Sequence, residues 1–342
     1  MRSTVPSNIE SVLRHCEQAA GQYGAGFSLD TSVLTERARL NGFLEGNHIS
    51  ANRACRLIEA RDGWIAANLA RDEDIDSVPA WIGLQDGDDI WASIENVARK
   101  NDVMMLVEQG QLLGIPVAPA YVDRRPDDVQ FRGEAVKRTR ITTGLCRAAR
   151  KPLVIDLSSL WAGPLCGHLL AKAGTRVVKI ESASRPDGAR FGSKEFFDSL
   201  NSGKEQLSLD FKSEEGRAEL WNWIERADVV IESARPRALP QLGFEPLDAF
   251  ARNPFMTWIS ITAYGREGPW SNYVGFGDDA AAAGGLLTQS PGGTPAFIGD
   301  AIADPLAGIL AAASAFLALS EGGGVLLDVS LREAAAHVAR SR

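Results

Sequence analysis

The sequence is short of the residue patterns that hold metals, disulfides or nucleic acids. Four cysteines in 342 residues (Cys16, Cys55, Cys146, Cys166) include no Cys-x-x-Cys pair, and the four histidines (His15, His48, His168, His337) are scattered. A zinc site and a disulfide scaffold are therefore not expected, and reduced thiols in a cytoplasmic protein fit best. Positive charge is scarce too: 36 Lys and Arg stand against 44 Asp and Glu, a net charge of −8. Nucleic-acid binding needs a basic surface to neutralise phosphates, so it is not expected. A local basic pocket for one small anion stays compatible with that balance. Met1 to Glu10 holds a single Arg and no apolar core, unlike a secretory signal. The apolar stretch Ile309 to Leu319 is too short to span a bilayer. A soluble protein without membrane contact is the expectation.

Apolar residues are plentiful, 45% against 23% charged, enough for a packed core. The length allows one large domain or two of ordinary size. Residues 1–49 read as a helical lead-in, weakly patterned and irregular. Residues 50–122 read as a small α+β domain, with Gly63 to Leu69 as a strand, Ile90 to Gln111 as one amphipathic helix and Gly114 to Pro119 as an extended exit. Residues 123–151 are a linker with a cationic bias (Arg124, Arg125, Arg132, Lys137, Arg138, Arg140, Arg147, Arg150, Lys151) and little apolar periodicity, as in a solvated connection.

From 152 to 342 strands and helices alternate. Leu153 to Leu157 is a continuous apolar run of the buried parallel kind. A helix through Cys166 to Ala173 follows, then strand Arg176 to Glu181, helix Ser213 to Ala227, and strands Val229 to Glu232 and Met256 to Thr262. The alternation predicts an α/β fold with a doubly wound, Rossmann-like parallel sheet, the smaller α+β domain lying N-terminal to it. Ligands of such sheets sit beyond the carboxyl ends of the strands. That places loops Ser158–Pro164, Ser182–Gly192, Ser233–Arg237 and Ala263–Gly277 around one mouth. Dinucleotide binding is disfavoured: the first strand runs into Ser158-Ser159-Leu160-Trp161-Ala162-Gly163-Pro164, with no Gly-x-Gly-x-x-Gly, and Pro164 has no N–H to offer a phosphate.

The same stretch resembles the opening of the family III (CaiB/BaiF-type) CoA-transferases: Val154-Ile155-Asp156-Leu157-Ser158, then Ala162-Gly163-Pro164-Leu165-Cys166, then Ala173 to Glu181. Asn201-Ser202-Gly203-Lys204, Leu207 to Lys212, Ala227 to Glu232, Ser260 to Pro269, Ala303-Asp304-Pro305-Leu306-Ala307-Gly308 and Leu327 to Leu331 continue the resemblance in register. Relative to the family the domain order is reversed, so the chain looks circularly permuted, a rearrangement tolerated where chain ends lie close at the surface.

The resemblance implies that Asp304 is the covalent nucleophile of a CoA transfer from an acyl-CoA to a carboxylic acid, by way of an aspartyl anhydride and thioester. Read from spacing alone, Asp304-Pro305 is an N-cap and first helical residue of a helix to Leu319; the two roles are compatible, because a helix N-terminus stabilises a carboxylate. The resemblance further implies that Leu160, Trp161 and Ala162 line the CoA and acyl site, that Leu209 and Lys212 meet the nucleotide, and that Ser233 and Ala234 replace a pair that is commonly Asn and an aromatic. Arg235 and Arg237 then offer compensating phosphate contacts. No permanently bound cofactor is implied; CoA and acyl-CoA are substrates, and the assembly is a homodimer. The family's usual acid in a Gly-aromatic-Asp turn falls on Gly277, with Asp278 one place late. Racemases of the superfamily use that acid for proton transfer, so its loss weakens an acyl-CoA racemase or epimerase reading. A non-catalytic CoA-binding protein is the other alternative.

Overall fold

The computed structural model describes residues 7–43, 47–84, 89–122, 134–143 and 151–340. Helix α1 (Ser7–Tyr23) buries Ile9, Val12, Leu13, Cys16, Ala19 and Ala20, which share one helical face. A 3-10 turn at Thr31–Leu34 and the short α2 (Glu36–Asn41) follow, and α2 ends on Gly42 in the left-handed region, where glycine costs least. The buried face of α1 joins the same apolar cluster as a long helix late in the chain. The lead-in, expected to be irregular, is part of the main core.

In the small unit, β1 (Cys55–Glu59) and β2 (Trp64–Asn68) form a hairpin, and β3 (Val117–Pro119) pairs with the far side of β2, all antiparallel. Helices α3 (Asp72–Ile82), α4 (Ile90–Ala98) and α5 (Val103–Leu112) cover them over Ile58, Ile65, Val78, Trp81, Ile94, Leu106 and Val117. Instead of one helix from Ile90 to Gln111 there are two. Arg61 grips the Asp102 carboxylate at 2.8 and 2.6 Å, and Asp62 Oδ1 accepts the Val103 N–H at 2.8 Å. The β1–β2 turn thus caps a fresh helix start, which apolar periodicity alone does not register.

The large sheet contains β4 (Val136–Arg140), β5 (Leu153–Asp156), β6 (Arg176–Ser182), β7 (Glu205–Leu209), β8 (Val229–Glu232) and β9 (Thr257–Thr262). After a small hairpin of β10 (Leu287–Gln289) and β11 (Pro295–Phe297), β12 (Val325–Ser330) completes it. The order is β4-β12-β9-β8-β5-β6-β7, and every neighbouring pair is parallel except β4 with β12. The parallel strands lie in the doubly wound order, with the reversal point between β5 and β8. β4 corrects the expected linker: its backbone pairs with β12, while Arg138 and Arg140 reach Glu321 and Lys137 reaches Glu267. Lys151 is exposed just before β5, and Arg124, Arg125, Arg132, Arg147 and Arg150 lie outside the described residues.

Helices α6 (Ala162–Lys172), α7 (Lys194–Asn201), α8 (Glu214–Arg226), α9 (Ala238–Gln241) and α10 (Pro246–Arg252) connect the strands. Then come α11 (Gly277–Ala283), α12 (Ala303–Ser320) and α13 (Leu331–Arg340). Helix α12 is longer than the apolar stretch singled out in the sequence: its 18 residues are apolar enough to cross a bilayer by length and composition, but 72% of them are buried in the fold. It packs against α1, α6, α13 and the sheet. Gly308 permits the closest approach, since a Cβ there would stand 2.5 Å from the Ala162 carbonyl oxygen.

Candidate active site

Ala303 opens α12 and Ile302 holds its cap position, so Asp304 lies inside the first turn. This corrects the expected N-cap at Asp304. The Asp304 N–H bonds the Ala301 carbonyl at 2.9 Å. As a whole residue Asp304 is partly buried, while Asp278, Asp279 and Asp300 nearby are 3%, 0% and 0% exposed. Among these acids Asp304 is the least buried residue, with its carboxylate tucked under Gly277.

Burial pushes the Asp304 carboxyl up to about 7, Arg37 opposes that rise, and Asp278 and Asp300 add to it; the Gly277 N–H favours the charged form. Asp278 accepts the Ala301 N–H at 2.8 Å, and burial together with Asp300 raises it to about 6. Asp279 points elsewhere: it accepts the Phe276 N–H at 3.0 Å and the Asn68 Nδ2 at 2.9 Å, and burial lifts it to about 8. Asp279 therefore caps α11, and Asp278 enters the acid group around Asp304.

Arg37, on α2, completes the group. Its Nε donates to Asp300 Oδ2 at 2.7 Å, and its Nη2 donates to Asp300 Oδ1. The guanidinium lies 5.2 Å from the centre of the Trp161 ring. Trp161 is 2% exposed and meets Phe196 edge-to-face at 5.2 Å, so its ring is packing beneath Arg37. Ala162, also buried, is the first residue of α6.

The loop after β5 is held from below by buried ion pairs. Lys204 donates to Asp156 Oδ2 and the Pro164 carbonyl, both at 2.8 Å, and to Asn201 Oδ1 at 2.9 Å. Burial works to raise Asp156, but Lys204 and Lys179 outweigh it and hold the carboxyl at about 2. Lys179 bonds the Ser158 carbonyl at 2.8 Å and lies 3.0 Å from Asp187. Asp187 Oδ1 in turn accepts the Leu160 N–H at 2.9 Å. Leu160 sits at φ +69, a conformation that costs a non-glycine residue energy, and its side chain is 42% exposed. The network fixes a strained, outward-facing Leu160 at the carboxyl end of the central strand.

Across the reversal point, Ser233 Oγ accepts the Ser159 N–H at 2.9 Å, tying the β5 and β8 loops together. Ser233 and Ala234 are half-buried, and Arg235 is exposed. Partial burial lowers the Arg235 pKa, and Arg71, Arg237 and Arg185 lower it further, while Asp74, the ion-pair partner of Arg71, opposes them. Leu209 and Lys212 lie apart from this centre, at the end of the edge strand β7. Leu209 packs on the α8 face and Lys212 is exposed. A cleft of ≈ 300 Å³ opens nearby over the paired strands β6 and β7, lined by Glu181, Pro186, Arg190, Gln206 and Ser208 among others. The fold thus brings Asp304, Trp161 and Ala162 together, sets Ser233 to Arg235 across the crevice, and leaves Leu209 and Lys212 at its outer edge. Arg37 escaped the sequence reading because its partner Asp300 is 263 residues away.

A family model described as CoA-transferase family III matches residues 152–342. Curated relatives include the succinyl-CoA–D-citramalate CoA-transferase of Chloroflexus aurantiacus, 32% identical over 53% of this chain and 48% of that one. The succinate–glutarate CoA-transferase of Agrobacterium fabrum is 30% identical over 52% of this chain and 49% of that one. The chain spans about half the length of the curated relatives it matches. Among solved structures, a CaiB/BaiF family protein from Brucella suis is 29% identical with a TM-score of 0.51, over 56% of this chain and 55% of that one. The protein Rv3272 of Mycobacterium tuberculosis is 29% identical with a TM-score of 0.52, over 55% of each chain.

Proposed function

The chain belongs to CoA-transferase family III, and on that premise we propose that it moves CoA from an acyl-CoA to a carboxylic acid, with Asp304 as the covalent carrier. An Asp304 carboxylate oxygen attacks the thioester carbonyl carbon, the C–S bond breaks, and CoA leaves as thiolate from a mixed anhydride. The thiolate then attacks the aspartyl carbonyl, expelling the donor carboxylate and leaving an aspartyl-CoA thioester. An acceptor carboxylate displaces CoA to form a second anhydride. CoA attacks the acceptor carbonyl of that anhydride, which releases the new acyl-CoA and restores the Asp304 carboxylate.

One observation carries this reading: Asp304 is the least buried member of a buried acid group, at the first turn of a helix whose N-terminus and the Gly277 N–H both favour an anion. Exposed Arg235, with Arg185 and Arg237 contributing like charge, is suited to a CoA phosphate. Relatives named for succinyl-CoA and for succinate and glutarate support short acids as donor and acceptor. CoA enters and leaves as substrate, with no resident cofactor. A permuted domain order, a homodimer, a cytoplasmic location and the absence of membrane contact belong to the same reading.

The racemase alternative is disfavoured at Gly277, which bears no acid and has no room for one. The test is an assay with succinyl-CoA and a panel of short carboxylic acids. Transfer to an acid with ping-pong kinetics, abolished in Asp304→Asn, supports the proposal. Deuterium wash-in from solvent without any acceptor acid, and no transfer, points to the racemase instead. CoA binding unaltered by Asp304→Ala, with no turnover, points to a binding protein.

A further inference from the structure

The N-terminal lead-in precedes the matched stretch 152–342, yet the charge of one of its side chains acts on the proposed nucleophile. We propose that Arg37 is a positioning residue for Asp304, clamping Asp300 and countering the combined charge of Asp278, Asp300 and Asp304. The inference rests on the reading of Asp304 as nucleophile.

Geometry supports it from several sides. The guanidinium meets Asp300 through both Nε and Nη2, a forked pairing that fixes its orientation as well as its position. Trp161 supports its face from below at 5.2 Å. Asp300 is fully buried, so without Arg37 it would be an unpaired charge in the interior. The helix bearing Arg37 is itself tied down: α2 packs against α7 and the 3-10 turn before it, and α1 of the same lead-in packs along α12, the helix that carries Asp304.

The charges facing Asp304 come from distinct elements. Asp278 is on α11, Asp300 on the turn before α12, and Arg37 on α2. Asp279 faces Asn68 on β2, and Cys55 on β1, pushed up by burial and by Asp278 and Asp279, stays a thiol. Arg37 thus holds Asp300 directly and acts on Asp278 and Asp304 through its charge. Acylation removes the Asp304 charge and relieves repulsion from the other two acids, which favours the covalent intermediate. The free enzyme needs the opposite, an ionised Asp304, and Arg37 favours that state alongside the Gly277 N–H.

The test titrates Asp304 by NMR in full-length protein carrying 13C-labelled aspartate carboxyls, with the signal assigned by its loss in Asp304→Asn. In Arg37→Gln the midpoint should rise by at least one pH unit, and in Arg37→Lys by less. In Asp300→Asn it should fall, and this opposite sign keeps the proposal testable if Arg37→Gln does not fold. Adduct formation from succinyl-CoA at pH 7 should drop about fivefold or more in Arg37→Gln and recover at higher pH, since moving the midpoint from about 7 to about 8 cuts the ionised fraction at pH 7 from roughly one half to roughly one tenth. An unchanged midpoint in Arg37→Gln, a midpoint in Asp300→Asn that does not fall, or an equal loss of rate at every pH would overturn the assignment. If wild-type protein forms no adduct with any donor, the nucleophile reading fails, while the titration still decides what Arg37 does.

Discussion

Gly277 lies directly over the Asp304 carboxylate: a Cβ at position 277 would stand 2.3 Å from Asp304 Oδ2 and 2.4 Å from the Ala301 carbonyl oxygen. The backbone of α11 therefore seats the proposed nucleophile, and any side chain there displaces it.

Gly277→Ala should cost roughly 1–3 kcal/mol of stability, as overpacking does in a tight interior. It should also suppress Asp304 acylation more than it suppresses CoA binding. Denaturant unfolding and a CoA-binding titration measure the two separately. Normal acylation in a folded Gly277→Ala protein would refute the seating role.

Adduct formation should depend on pH with a midpoint near 7, far above an ordinary carboxyl at 3.8, because the attacking species is the Asp304 carboxylate and its carboxyl is raised to about 7. The single-turnover rate should rise as pH increases through that midpoint and level off above it. A rate flat between pH 5 and pH 8 would contradict the burial argument.

Fold stability should move the other way. Asp278, Asp304 and Asp279 are raised to about 6, 7 and 8 from 3.8, so between those limits the folded state holds protons that the unfolded chain has released. Their contribution is fully present below about pH 3.8 and is lost as pH climbs through each folded value. Over pH 5 to 8 the melting temperature of Asp279→Asn should fall less steeply than that of the wild type. Parallel slopes would show that Asp279 titrates normally.

Lys204→Met should destabilise the protein by about 3–5 kcal/mol, the usual consequence of stranding one member of a buried ion pair. Asp156 would keep Lys179 but lose its direct partner at 2.8 Å. Thermal unfolding of Lys204→Met beside the double variant Asp156→Asn/Lys204→Met checks this, with the double variant recovering part of the loss.

The central strands were legible because their chemistry is uniform: Val154-Ile155 and Val229-Val230-Ile231 are buried on both faces, and such runs advertise a parallel sheet. β4 was not legible, since Val136-Lys137-Arg138-Thr139-Arg140 pairs by its backbone while its cations serve Glu321 and Glu267 at the sheet edge. Asp304 could be singled out only through the family resemblance, because spacing alone suggested a cap. Trp161, which the resemblance sets in the loop lining the acyl site, packs its ring beneath Arg37, a partner no local pattern announces. The face of α1 follows helical spacing, but without its partner α12 in view that stripe looked weak. Arg37 and Asp300 meet across most of the chain, and no local pattern encodes such a pair.

The central claim is tested most directly by incubating the protein with succinyl-CoA, trapping with hydroxylamine or borohydride, and locating the modification by peptide mass spectrometry. The account predicts a hydroxamate or a reduced side chain at Asp304, absent in Asp304→Asn. Turnover that proceeds with Asp304 unmodified, or with the label on another residue, would contradict it.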